Sequence, residues 1–298
     1  MADSGAVYTG IEGGPVLRLT DEGKTISEVA DTGARPTGIE LDRDGGLVVC
    51  DSHRGLLRVD PRTSKVTTLV SEVAGAPLVF TNNCSVAADG SVYFSDSSRK
   101  FPIEHFTGDL LEGRATGRLL KWSADEGVQV ILDELRFANG VALAEDDSYL
   151  LLAETAGYGI RKVHLTGRRA GQSEYLLENL PGSPDNISRG EDGIFWVAFP
   201  STRNALLDRL LPRPGAIRRA VWALPEKLSP QPAQVILVMG ITGDGEVRHV
   251  IYAKGDRYQF VTGVREHGGW LYLGSLTEDA VARFPKPKDS SRPKTPRS

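Results

Sequence analysis

Three short stretches place carboxamide and carboxylate side chains next to one another. They are Asn82-Asn83, Asn139 within Phe137-Ala138-Asn139-Gly140, and Asp185-Asn186 after Pro184. Their oxygens are hard donors of the kind Ca²⁺ gathers in sets of six to eight, at about 2.3–2.6 Å. Asn and Asp also cap turns and tolerate left-handed backbone, so no one of them identifies a site by itself. What sets the group apart is its recurrence at matching points of a repeat. Two histidines, His53 and His105, add imidazoles that titrate near neutral pH and can serve as general acid or base. A lone histidine is more often a surface or packing residue, and His164, His249 and His267 read that way. The chain has no GxSxG elbow, no HExxH pair, no Walker loop and no GxGxxG after a strand, which argues against serine hydrolases and nucleotide-dependent enzymes.

The elements that must position these residues form a repeat. A short apolar strand leads into an acidic-glycine turn, then a second apolar strand ending in Asp or Glu, then a Gly-led third strand. GIELDRDGGLVVCDSHRGLLRVD from Gly38 shows the pattern, as do SVAADGSVYFSDSS from Ser85 and GVALAEDDSYLLLAET from Gly140. Weaker copies begin at Asn186 and Val261, and VYTGIEGGPVLRLTDEGKTISEVA at the start reads as the second to fourth strands of another. Asp44-Gly45, Asp89-Gly90, Asp192-Gly193 and Gly268-Gly269 supply the positive φ angles of tight hairpins. Positions 36, 82, 139 and 185 mark successive copies at intervals of 46, 57 and 46 residues. Four-stranded propeller blades of about 40–50 residues fit that spacing with one loop insertion.

Five or six copies fill the chain. The expected fold is all-β, a six-bladed β-propeller with its first blade incomplete at the N-terminus. Residues 1–284 form one domain, and the Pro/Lys-rich tail 285–298 is expected to be disordered. Residues 203–227 mix helix formers with Pro212 and Pro214 and read as two short helices inserted in blade five. In such a ring the innermost strands line a central channel, and the loops before them converge on the axis at one end. The Asn82, Asn139 and Asp185 stretches occupy those loops. The loops between second and third strands share that face and carry His53, the segment Ser97 to Thr116 with Arg99 and His105, Tyr158 and the helical insertion. A small-molecule substrate would be gripped there.

A net charge of −4 gives no basic surface for nucleic acid. No run of about 18 apolar residues predicts a membrane span, and the first residues lack the features of a signal peptide, so a cytoplasmic location is expected by default. Cys50 and Cys84 are too few for a disulfide framework and are expected as reduced, buried thiols. The oligomeric state stays open.

The stretches GLLRVDP, RFANGVAL, LLLAETAGYGIRKVHLTGRRAG, ENLPGSPDNIS, FWVAF and REHGGWLYLGS resemble the strictosidine-synthase-like family. Within it the likeness is to the adipocyte plasma-membrane-associated protein branch and its bacterial relatives, and it runs from about Val7 to Phe284. The wider superfamily includes gluconolactonases and paraoxonase-like esterases, six-bladed propellers with an axial calcium. The resemblance implies that Asn82, Asn139, Asp185 and Asn186 hold one axial Ca²⁺. Three departures accompany it. A Gly-Pro-Glu element usual before the Val7 segment, whose Glu is a metal ligand in the lactonases, is absent. Thr262 stands where strictosidine synthases have a catalytic glutamate, and Glu266 in the following turn is a poor substitute. Asn83 stands where the paraoxonase-like second calcium takes an Asp. The expected activity is calcium-dependent hydrolysis of lactones or small esters, with Asp185 as ligand and base and His53 or His105 moving a proton. The alternative is a non-catalytic propeller binding a small molecule or a protein partner around a structural calcium.

Overall fold

The computed structural model describes residues 5–222 and 232–288, without the side chains of residues 219–222. Six sheets form a ring of blades, the strands of each lying side by side in chain order with antiparallel neighbours. Blade I holds Val7–Gly10, Pro15–Thr20 and Thr25–Asp31. Blade II holds Pro36–Leu41, Leu47–Asp51, Gly55–Asp60 and Lys65–Val70. Blade III holds Thr81–Val86, Val92–Asp96, Gly117–Ser123 and Gly127–Leu135. Blade IV holds Ala138–Leu143, Tyr149–Glu154, Gly159–His164 and Ser173–Leu177. Blade V holds Ile187–Arg189, Ile194–Phe199, Val235–Thr242 and Val247–Lys254. Blade VI holds Val261–His267, Trp270–Ser275 and Ala282–Pro285.

The turns form as their residues dictate. His267 pairs with Trp270 across Gly268-Gly269, both at positive φ (57° and 78°), which is the two-residue hairpin that matches strand twist. In blades III to V the second strands are largely apolar because both of their faces are covered: Val92–Asp96, Tyr149–Glu154 and Ile194–Phe199 are buried almost end to end. Adjacent blades share apolar interfaces, such as Cys50, Leu56, Phe94 and Leu120 between blades II and III. Leu151, Ile160, Phe195 and Phe199 do the same between blades IV and V. Between blades VI and I an ion pair, Arg283–Glu22 at 3.1 Å, bridges the sheets. Blade I presents no innermost strand among the described residues. On the axis, Arg265 of blade VI therefore reaches across to Glu40 of blade II.

Two insertions rise from the loop face. Blade III carries a 3₁₀ turn, Ile103–His105, and helix α1, Phe106–Glu112, ended by Gly113 in the left-handed region. Blade V carries helix α2, Ala205–Leu210, and helix α3, Gly215–Trp222. Asn204 caps α2 by accepting from the Leu206 and Leu207 amides at 2.9 and 3.1 Å. Helix α1 packs against α3, so the two insertions meet over the face. Residues 223–227 of the expected helical insertion lie outside the described residues. The C-terminal segment stays fastened as far as Lys286, whose ammonium lies 2.5 Å from the buried Glu266 carboxylate; residues 289–298 lie outside the described residues. Cys50 and Cys84 are buried free thiols. Among the described residues no helix is long and apolar enough to cross a membrane.

Candidate functional site on the propeller axis

Each complete innermost strand breaks its pairing register near its start. The shifts fall between Pro36 and Gly38, Thr81 and Cys84, Ala138 and Val141, and Val261 and Gly263. Such bulges re-aim side chains, and here they hold Thr37, Asn82, Asn139 and Thr262 at one level. Blade V reaches the same level just before its strand: the Asp185 amide donates to Ala198 O at 2.9 Å and Asn186 O accepts from the Ala198 amide at 3.1 Å. Neighbouring levels are then tied together, since the Gly140 amide donates to Asp185 O at 3.2 Å and the Asn186 amide to Thr262 O at 3.1 Å. Gly140 has to be glycine, because a Cβ there would overlap the Asp185 carbonyl and the Ile187 amide.

The side chains at this level are short of partners. Asn139 is 2% exposed, and its carboxamide oxygen is buried without a hydrogen bond. The Asn186 carboxamide oxygen is in the same condition. Burial pushes the Asp185 carboxyl up to about 7, against the lowering effect of the Asn139 side chain and the Asn186 backbone amide. Uncompensated oxygens gathered in a buried place cost free energy, and a hard cation is the partner that would satisfy several at once. Among the described residues no three His, Cys, Asp or Glu side chains come together. An ion at this level would be held by carboxamide oxygens together with the Asp185 carboxylate. The residues fit Ca²⁺ in donor type, with a low ligand charge.

The other candidates take different places. The Asn83 carboxamide oxygen accepts the Val141 amide at 2.9 Å, so this residue links blades III and IV. His53 is on the loop face of blade II, with Nε2 2.8 Å from Glu104 Oε1 in the blade III insertion. His105 is exposed where the 3₁₀ turn meets α1. Tyr158 is buried beneath the Arg203 guanidinium, 4.2 Å from its ring centre, and Arg99 pairs with Asp133 at 3.0 Å. The remaining histidines serve packing or surface pairs: His249 stacks on Trp196 and His164 contacts Glu174. Glu266 accepts from Trp196 Nε1 at 2.6 Å and pairs with Lys286, a structural pin.

A strictosidine synthase family model matches residues 82–168, the segment that carries Asn82 and Asn139. The adipocyte plasma membrane-associated protein of Salmo salar is 34% identical over 304 residues, covering 93% of this chain and 72% of that protein. The chain belongs to the family of adipocyte plasma membrane-associated proteins. Two solved structures share the fold of this family member. A gluconolactonase of Xanthomonas campestris aligns with 92% of this chain and 80% of its own, at 19% identity and TM-score 0.65. Regucalcin of Agrobacterium tumefaciens, a calcium-binding protein, aligns with 93% and 81%, at 14% identity and TM-score 0.62.

In this family member the structure adds two residues that the sequence pattern left unmarked, Ser97 and Thr155. Each follows the acidic residue ending a second strand, in Asp96-Ser97 and Glu154-Thr155. The Asn82 carboxamide nitrogen donates to Ser97 Oγ at 2.9 Å, and that of Asn139 to Thr155 Oγ1 at 3.1 Å. The sequence signal was the recurrence of a hydroxyl after each acid, which also appears in Asp51-Ser52.

Proposed function

We propose that this chain is a calcium-dependent hydrolase of lactones or small esters. The observation that carries the reading is the layer of buried oxygens on the axis, Asn139 and Asn186 without partners and Asp185 held near neutrality. Asn82, Asn139, Asp185 and Asn186 would hold the ion, which would polarise a substrate carbonyl and stabilise the developing oxyanion. Asp185 takes the proton from the attacking water at its carboxylate, a role suited to a group poised near the operating pH. Helix α1 packs against α3 over this face, and His53 or His105 would pass the proton outward. The gluconolactonase and regucalcin likenesses support the axial ion and the reaction class. Thr262, which lacks an ionisable group, stands at the axial level in blade VI, and this supports hydrolysis over strictosidine-type condensation.

The expected result is turnover of phenyl acetate or a γ-lactone that needs Ca²⁺, is stopped by EDTA and is lost in Asp185→Ala. A single carboxylate in the donor set favours a second reading, a binding propeller with a structural ion. Calcium-dependent thermal stability without turnover on an ester and lactone panel would select it.

A further inference from the structure

A carboxamide looks nearly the same with its nitrogen and oxygen exchanged, so only its hydrogen bonds decide which end faces the axis. Ser97 and Thr155 settle that choice by donor arithmetic. A hydroxyl has one proton. Ser97 Oγ donates its proton to Ala138 O at 2.7 Å, and Thr155 Oγ1 donates its own to Pro184 O at 2.7 Å. Toward its own blade each hydroxyl can then only accept. Facing it, Asn82 and Asn139 must present NH₂, and the carboxamide oxygen is turned away from it. For Asn139 the oxygen turned away from Thr155 has no hydrogen-bond partner and is the orphan atom of the axial layer. We propose that Ser97 and Thr155 are positioning residues that lock the carboxamide oxygens of Asn82 and Asn139 toward the axis.

The acceptors of these hydroxyl protons add a second effect. Ala138 and Pro184 immediately precede Asn139 and Asp185, so each hydroxyl orients the donor of its own blade and fixes the backbone before the donor of the next. Thr155 therefore acts on Asn139 and Asp185 together. Blade II uses a variant of the device. There Thr37, itself at the axial level, has its one hydroxyl proton between Cys50 O at 3.0 Å in its own blade and Thr81 O at 3.1 Å, immediately before Asn82. Ser52, at the Ser97 position of blade II, donates to Arg35 O at 3.3 Å and has no carboxamide to orient.

The effect on ion binding rests on the metal reading above, whereas the orientation itself does not, and the experiment separates them. Ca²⁺ affinity is measured by calorimetry for wild type, Thr155→Val, Thr155→Ser, Ser97→Ala and Ser52→Ala. In parallel, the Asn139 side-chain NH₂ resonances, assigned by their loss in Asn139→Ala, are followed by ¹H–¹⁵N NMR without added ion. Thr155→Val and Ser97→Ala are expected to weaken Ca²⁺ binding about 10- to 100-fold, as removing the outer partners of metal ligands does. Thr155→Ser restores both hydrogen bonds and the affinity, and Ser52→Ala stays at the wild-type value. The NH₂ pair shifts in Thr155→Val and returns in Thr155→Ser. Unchanged NH₂ resonances in Thr155→Val, or wild-type affinity in both Thr155→Val and Ser97→Ala, would overturn the proposal. If wild type itself binds no Ca²⁺, the metal reading fails, and the NMR arm alone still decides the orientation. If Thr155→Val does not fold, Ser97→Ala tests the same device on blade III through Asn82.

Discussion

Asp185 gives the axial layer a measurable pH dependence. In the folded protein burial holds its proton to about pH 7, against an ordinary carboxyl value of 3.8. The folded state thus binds this proton more tightly than the unfolded chain. The stability it contributes is fully present below about pH 4 and is lost as the pH rises through 7. A shift of that size is worth on the order of 4 kcal/mol. With EDTA present, wild type is expected to lose stability between pH 5 and pH 8 relative to Asp185→Asn, whose amide does not titrate. Urea midpoints of the two proteins across that range check this, and parallel curves would remove Asp185 as the titrating group. At this scale the sequence marks Asn82, Asn139, Asp185 and Asn186 because they recur at one repeat position. It does not mark the orientation of a carboxamide. That depends on Ser97 and Thr155, 15 and 16 residues further on, whose single protons are directed to the next blade. His53 shows the opposite limit. Its type suggests proton transfer, yet the structure sets its Nε2 against Glu104, a partner fixed by how the blade III insertion folds over blade II.

The blades are held in shape by the acids that end their second strands. Asp96 is fully buried, accepts the Phe80 amide at 3.1 Å and receives Arg118 Nη2 at 2.6 Å. Glu154 repeats this with the Arg136 amide at 2.8 Å and Arg161, and Asp51 with the His53 and Arg54 amides and Thr32 Oγ1. Asp96 and Glu154 thereby fix the segment entering their own innermost strand, which is how they support the axial level without touching it. Arg118→Ala leaves Asp96 buried without its counter-charge and is expected to cost about 3–5 kcal/mol. Arg58→Ala, which breaks an exposed pairing with Asp42 and Asp44, is expected to cost less than about 1 kcal/mol. Chemical denaturation of both variants checks the contrast, and equal losses would mean that the buried pair carries no special weight. Strands and turns are legible in the sequence because Asp-Gly and Gly-Gly turns alternate with apolar runs. The two helices after Arg203 are legible from their helix formers and prolines. The small hairpin Glu72–Val73 with Ala76–Pro77, between blades II and III, is not, because two-residue strands leave no periodicity.

A ring of blades is as strong as its weakest junction, and the junctions here differ in kind. Blades I to VI are joined in sequence by apolar clusters that include Leu47 with Val16, Phe94 with Leu56, Leu119 with Leu150, Phe195 with Leu151, and Trp196 with Leu271. The last junction is bridged by Arg283–Glu22, while Arg265–Glu40 spans the axis beside blade I. Apolar burial is insensitive to salt, whereas partly exposed ion pairs are screened by it. The blades are expected to separate first between VI and I, because local opening follows the least protected contacts. In hydrogen exchange, Val7–Gly10 and Ala282–Pro285 should therefore open before Val92–Asp96 and Tyr149–Glu154. Glu40→Gln removes the charge that neutralises Arg265 and should speed exchange in blades I, II and VI while leaving blade IV unchanged. Added salt at about 1 M should have the same effect on wild type and a smaller effect on Glu40→Gln, where only Arg283–Glu22 is left to screen. Uniform exchange across all six blades in both proteins would show that the ring opens as one unit, with the ionic junction no weaker than the apolar ones.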